Sequence, residues 1–177
     1  MTTTRPQDNQ KNDSMTAPQR LMKISQDIAA LSEQVNIIAV SKTFSPEAVE
    51  PVLAAGYRVF GENRVQEAAE KWPNLKASYP DVELHLIGAL QSNKAAQAVA
   101  LFDVVHSLDR IKLAHVLAAE MKRQNRELKI LVQVNTGKED QKSGIPPEET
   151  KEFVRICRSE LGLNIVGLMC LPPQQDV

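Results

Sequence analysis

The stretch Asn36-Ile37-Ile38-Ala39-Val40-Ser41-Lys42 decides the fold class, because this short apolar run leads directly into a helix start at Ser45-Pro46-Glu47. A run this apolar is typical of a strand buried on both faces, as in a parallel sheet. Lys42 is then expected where the strand meets a loop, at the edge where α/β folds bind ligands. A partly desolvated lysine there can offer a free amine to an aldehyde. From position alone, a solvated lysine at a strand end is the alternative.

The same unit, an apolar run followed by an amphipathic segment, repeats along the chain. The predicted strands are Asn36–Lys42, Tyr57–Asn63, Glu83–Leu90, Asp103–Asp109, Leu128–Gly137 and Asn164–Leu171. The helices predicted from apolar periodicity and from start and stop signals include Ala17–Gln34, Ser45–Ala55, Arg110–Gln124 and Pro146–Leu161. Gly56 and Gly162 are expected just past two helix ends. Regular alternation of strands and helices predicts a parallel sheet with right-handed crossovers.

Two architectures fit this alternation, a doubly wound sheet and a (β/α) barrel. Gly61, Gly88 and Gly137 fall near the carboxyl ends of predicted strands, where glycine allows a close approach of the backbone to a ligand or simply forms a turn. The sequence contains no GxGxxG or P-loop pattern, so nucleotide binding by those devices is not expected.

Composition narrows the function classes. The 177 residues carry a net charge of -1, with scattered lysines and arginines and only 4% aromatic residues, which argues against a nucleic-acid-binding face. No apolar stretch has the length of a membrane span, and residues 1–15 form a polar segment that we predict to be a disordered tail and not a signal peptide. Cys157 and Cys170 are interpreted as two reduced core thiols. We expect a cytoplasmic protein that contacts neither membranes nor nucleic acids.

Several motifs occur together in a specific order between residue 36 and the end of the chain. They are Ala39-Val40-Ser41-Lys42-Thr43, Phe60-Gly61-Glu62-Asn63-Arg64-Val65-Gln66-Glu67, His85-Leu86-Ile87-Gly88-Ala89-Leu90-Gln91-Ser92-Asn93-Lys94, Val134-Asn135-Thr136-Gly137, Gln141-Lys142-Ser143-Gly144 and Gly167-Leu168-Met169-Cys170-Leu171-Pro172. With these motifs the chain resembles the pyridoxal-phosphate homeostasis proteins, a family with the alanine racemase N-terminal-domain barrel. Ala89 stands where that family often has proline.

The resemblance implies a (β/α) TIM-type barrel with an N-terminal helix and pyridoxal 5′-phosphate (PLP) as cofactor. It implies that Lys42 holds PLP as a reversible Schiff base and that Asn63 lies near the cofactor ring. The expected function is non-catalytic: a carrier in PLP homeostasis, which releases the cofactor to PLP-dependent enzymes. The alternatives are a PLP-dependent amino-acid racemase or Schiff-base aldolase, and a fragment that binds little. A racemase needs an acid/base on each cofactor face, and the sequence offers no evident pair.

The resemblance also implies an incomplete barrel. About six βα units are visible in the 177 residues, whereas a full barrel has eight. Family members continue with a serine-rich stretch and an Arg-Ile-Gly stretch on the last two strands, and those segments hold the phosphate and the pyridine nitrogen. We therefore expect residues 16–177 to form a partial PLP-binding barrel domain that holds the phosphate more weakly than a chain extended by two βα units.

The remaining polar candidates are interpreted more conservatively. His85 alternates with Ile87 and is interpreted as a hydrogen-bonded core histidine, with a cofactor contact as the alternative. His115 is assigned a structural role on a helix, and His106 is left undecided. Two lysines that could meet an anion (Lys94 and Lys142) are interpreted as solvated, and two carboxylates (Glu62 and Glu67) are possible acids or bases without an evident partner. No carboxylate or Cys/His cluster has the spacing of metal ligands, so we predict no metal site.

Overall fold

Six parallel strands alternate with helices in the computed structural model, which describes residues 15–32, 34–137 and 143–172. The strands are β1 (Ala39–Val40), β2 (Val59–Glu62), β3 (Glu83–Leu86), β4 (Val104–Leu108), β5 (Lys129–Val134) and β6 (Ile165–Cys170). The helices are α1 (Ala17–Ala29), α2 (Pro46–Ala54), α3 (Val65–Ser78), α4 (Ala95–Leu101), α5 (Ile111–Gln124) and α6 (Thr150–Ser159), with a 3₁₀ turn at Ser92–Lys94. Apart from its last residue, the predicted tail at residues 1–15 lies outside the described residues.

The strand order decides between the two predicted architectures. Each strand pairs with the next one in the chain, in the order β1-β2-β3-β4-β5-β6, and every pairing is parallel. A doubly wound sheet reverses its strand order at a switch point, whereas a barrel does not. Consecutive helices also contact one another from α1 to α6. The fold is therefore the (β/α) barrel type, described here over six consecutive strands.

The apolar core lies between the outer face of the sheet and the helices. Leu84, Leu86, Ile130 and Val132 on the strands have no exposed surface and belong to one cluster with helical residues such as Trp72. Alternate positions on the same strands face the barrel interior and include polar residues (Glu83, His85, Lys129 and Gln133). The apolar core thus holds the strands in place, and the polar side chains on their inner face are available to form a binding site.

The helix ends follow the local signals in the sequence. Pro46 occupies the first turn of α2, and Gly56 follows the helix with φ +95°. Gly162 follows α6 with φ +66°, a conformation that glycine adopts without strain. The last predicted helix starts at Thr150 and not at Pro146. A turn precedes it, in which the carbonyls of Pro146 and Pro147 accept hydrogen bonds from the N–H groups of Glu149 and Thr150.

Two predictions differ from the structure. The first helix, α1, ends at Ala29 and not at Gln34, and none of its residues is buried. Cys157 is a buried thiol as predicted, whereas Cys170, the last residue of β6, is exposed, since no helix follows β6 in the described part of the chain. None of the helices in the described ranges is long and apolar enough to cross a membrane.

Candidate functional site

A cavity of about 590 Å³ opens at the carboxyl ends of the strands, the edge at which the sequence placed a site. It is lined by Lys42, Asn63, Ile87, Gly88, Ala89, His106, Gln133, Val134, Asn135, Ser143, Met169, Cys170 and Leu171. Lys42 follows β1 by two residues, and Asn63 directly follows β2. The structure therefore brings together the two residues that the sequence singled out, although 21 positions separate them in the chain.

Gly88 determines where Asn63 lies. A Cβ atom on Gly88 would lie 2.2 Å from the Asn63 carbonyl oxygen and 2.8 Å from its Cα, so only glycine fits without moving the backbone. The Ile87 N–H donates a hydrogen bond of 2.9 Å to the Glu62 carbonyl and holds the same two segments together. The sequence predicted that this glycine allows a close approach to a ligand or forms a turn, and in the structure Gly88 packs closely against the backbone of Asn63.

Two histidines and an ion pair form a hydrogen-bonded chain through the barrel interior. His85 Nδ1 lies 2.8 Å from His106 Nε2, and His85 Nε2 lies 2.8 Å from Glu83 Oε1. Glu83 Oε2 accepts a hydrogen bond of 2.7 Å from Lys129, which is the main cause that lowers the pKa of Glu83. Burial, assisted by the nearby His85, lowers the pKa of His106 to about 4. His106 therefore faces the cavity as a neutral ring at neutral pH.

The three histidines of the chain lie in different environments. His85 is buried and has two hydrogen-bond partners, which agrees with its interpretation as a satisfied core histidine. His106, which the sequence left undecided, lines the cavity. His115 lies on α5 as predicted and is exposed there.

The end of β5 contributes neutral polar groups that the sequence reasoning did not assign to the site. Gln133 is buried and donates a hydrogen bond of 3.0 Å from Nε2 to the Ser143 carbonyl. The Asn135 N–H donates to the Ile145 carbonyl at 3.0 Å, so the segment after residue 142 closes over the strand end. The signal in the sequence was the alternation of Gln133 and Asn135 with apolar residues, which places both on the inward face of a strand.

The two carboxylates considered as acids or bases lie outside this cavity. Glu62 is fully buried on the outer side of β2 and pairs with Lys71 at 2.7 Å, and Glu67 lies 3.5 Å from the same ammonium. The sequence reasoning missed Lys71. Its signal was a lysine within the apolar stripe of α3, next to Trp72 and three residues after Ala68.

Lys94, one of the two lysines considered for anion binding, is not among the cavity residues. Lys94 is half-buried and, with Arg64 and Gln91, lines a second opening of about 620 Å³ beside the first. Lys142 lies outside the described residues. Within the described ranges, no three His, Cys, Asp or Glu side chains come together as a metal site.

The chain is similar to proteins of one family. Residues 20–177 match the family described as "Alanine racemase, N-terminal domain". The pyridoxal phosphate homeostasis protein of Vibrio alginolyticus is 39% identical over 142 residues, which are 79% of this chain and 61% of that protein. The pyridoxal phosphate homeostasis protein of Aquifex aeolicus is 34% identical over 166 residues, which are 90% of this chain and 72% of that protein. The chain thus spans less than two thirds of the Vibrio relative's length.

A solved structure shares both fold and sequence with the chain. PipY of Synechococcus elongatus PCC7942, determined without PLP, is 37% identical with a TM-score of 0.76, over 87% of this chain and 73% of PipY. The structure of PipY with PLP bound is 36% identical with a TM-score of 0.73, over 86% of this chain and 72% of PipY.

Proposed function

The chain belongs to the family of pyridoxal phosphate homeostasis proteins, with the alanine racemase N-terminal domain, and from this premise we propose that it binds PLP and takes part in PLP homeostasis. Lys42 is the residue that holds the cofactor, as a reversible Schiff base with its aldehyde. Asn63 is the second cofactor-binding residue, beside the ring. The observation that supports the proposal is the presence of Lys42 and Asn63 in one cavity at the carboxyl edge of the barrel.

The size and lining of the cavity suit PLP. The cavity volume of about 590 Å³ lies in the range of small-molecule sites. Ile87 and Met169 supply apolar surface against which a flat ring can pack, while Asn63, Gln133 and Asn135 supply neutral hydrogen-bonding groups. PLP contributes an aldehyde carbon that a primary amine attacks reversibly. Lys42 is the only ammonium or guanidinium group among the described residues that line this cavity.

The proposed role is that of a carrier without catalytic turnover. Racemisation of an amino acid needs an acid/base on each face of the cofactor. A tyrosine could supply such an acid/base, but neither tyrosine lies at the carboxyl edge of the strands: Tyr57 precedes β2, and Tyr79 follows α3. His106 is in the cavity, but with a pKa lowered to about 4 it has almost no protonated form to act as an acid at neutral pH, and its neutral ring is a weak base. Release of PLP to PLP-dependent enzymes in the cytoplasm belongs to the same proposal, and the reversibility of the bond with Lys42 is its chemical basis.

Borohydride trapping tests the assignment of Lys42. After incubation with PLP and reduction, we expect a pyridoxyl group on Lys42 by peptide mapping, and loss of the label in Lys42→Ala. Lys112→Ala, an exposed lysine on α5, is the matched control and should label like the unchanged protein. Label found mainly on other lysines would contradict the assignment.

An assay of D-alanine formation from L-alanine separates the carrier from the racemase. We expect no turnover above the rate of free PLP, because His106, with its pKa lowered to about 4, is a poor second acid/base at neutral pH. D-alanine formation that disappears in Lys42→Ala would establish the racemase instead.

A further inference from the structure

We propose that Glu67 and Lys71 of α3 are positioning residues that hold the turn carrying Lys42 in one conformation. The inference deepens the proposed function, on which its consequence for cofactor capture rests. Neither side chain lines the cavity, so both act through the backbone of the turn.

Lys71 holds the turn on both sides of Lys42. Its Nζ donates hydrogen bonds to the Ser41 carbonyl at 2.8 Å and to the Phe44 carbonyl at 3.0 Å. Only 4% of the Lys71 side chain is exposed, and its charge is balanced by Glu62 at 2.7 Å. A buried ammonium that binds two carbonyls three residues apart leaves the segment between them little freedom. The position of Lys42 along the cavity wall follows from this contact.

Glu67 holds the residue that follows Lys42. Thr43 has φ +66°, a left-handed conformation that is unfavourable for a β-branched residue. The Thr43 N–H donates a hydrogen bond to Glu67 Oε1, and a bond to a charged acceptor is among the stronger ones in proteins. The contact offsets the strain in the turn. Without it, we expect Thr43 to relax and the Lys42 side chain to lose its fixed direction.

Glu62 connects these contacts to the sheet. Its Oε1 accepts hydrogen bonds from Ser41 Oγ at 2.7 Å and from Trp72 Nε1 at 2.9 Å, in addition to the contact with Lys71. A buried ion pair adds little net stability compared with an apolar core, but it can specify a single geometry. Here that geometry is the separation between α3 and the end of β1. A reacting amine held in one orientation captures its partner faster than a mobile one.

Two matched pairs of variants on α3 test the inference. Glu67→Ala removes the acceptor for Thr43, and Glu70→Ala removes an exposed carboxylate three residues further along the same helix. We expect Glu67→Ala to raise the hydrogen-exchange rate of the Thr43 amide about tenfold and to slow borohydride-trapped labelling of Lys42 by a similar factor. Glu70→Ala should change neither, and Glu67→Gln, which keeps an acceptor, should recover most of both. Equal behaviour of Glu67→Ala and Glu70→Ala would overturn the inference.

The second pair examines the ammonium. Lys71→Gln should slow labelling of Lys42 at least as much as Glu67→Ala does. Lys76→Gln, which removes a lysine that pairs with Asp103 at 2.7 Å further along α3, should leave labelling unchanged. If Lys71→Gln does not fold, the Glu67 variants still decide the question. If the unchanged protein takes no label on Lys42, the proposed function fails, whereas the exchange rate of Thr43 still decides whether Glu67 holds the turn.

Discussion

Gly88→Ala should destabilise the protein and disturb the site, because the new methyl group would overlap backbone atoms. The Cβ would lie 2.2 Å from the Asn63 carbonyl oxygen and 2.8 Å from the Asn63 Cα. The oxygen contact must lengthen by roughly 1 Å to reach an ordinary separation, and no side-chain rotation can provide that movement. Overpacking of this kind costs about 1–3 kcal/mol. Weakening the hydrogen bond from the Ile87 N–H to the Glu62 carbonyl adds about 1 kcal/mol. The expected loss is therefore about 2–4 kcal/mol.

Urea unfolding measures this loss, and Gly167→Ala is the matched control. Gly167 lies in β6, and a Cβ there would meet only Leu131 side-chain atoms at 3.8 and 3.9 Å, which is ordinary contact. We expect Gly167→Ala to stay within about 0.5 kcal/mol of the unchanged protein. Gly88→Ala should unfold at a clearly lower urea concentration and label more slowly at Lys42, since Asn63 must move. A Gly88→Ala protein as stable as Gly167→Ala would refute the reasoning.

Two further predictions concern titration and thiol chemistry. The pKa of His106 is lowered from 6.5 to about 4, so between these pH values the unfolded chain binds the proton first and the folded protein loses stability as the pH falls. His106→Gln should reduce this loss of stability at low pH by about 1 kcal/mol, a value lowered to allow for the partial exposure of the ring. Denaturant unfolding at pH 7 and pH 4.5 measures the free energy of unfolding of the unchanged protein and of the variant. Equal pH dependence of the two proteins would contradict the lowered pKa of His106. Cys170 is exposed, whereas Cys157 is buried, and burial raises the pKa of the Cys157 thiol to about 11. The folded protein should therefore have one thiol that reacts fast with a disulfide reagent. Cys170→Ser should abolish the fast phase, and fast reaction of both thiols in the folded protein would show that Cys157 is accessible.

The sequence by itself predicted the elements of the fold and the principal residues of the candidate site. Six apolar runs and the helix stop signals at Gly56 and Gly162 placed the strands and several helices to within a few residues, because backbone periodicity and capping depend on neighbouring residues. Lys42 was identifiable from its position, because residues that follow the strands of a parallel α/β fold come together at one edge. Asn63 was implied by the family resemblance of its motif.

Only the tertiary structure decided the strand order and the contacts that surround Lys42. Local patterns are the same in a doubly wound sheet and in a barrel, so the consecutive pairing from β1 to β6 had to be observed. The contact of Lys71 with the Ser41 carbonyl and that of Gly88 with Asn63 join residues that are 30 and 25 positions apart. Such contacts depend on how separate βα units pack against one another. The residues next to Lys71 in the sequence do not indicate that its ammonium contacts the turn after β1, which belongs to another βα unit.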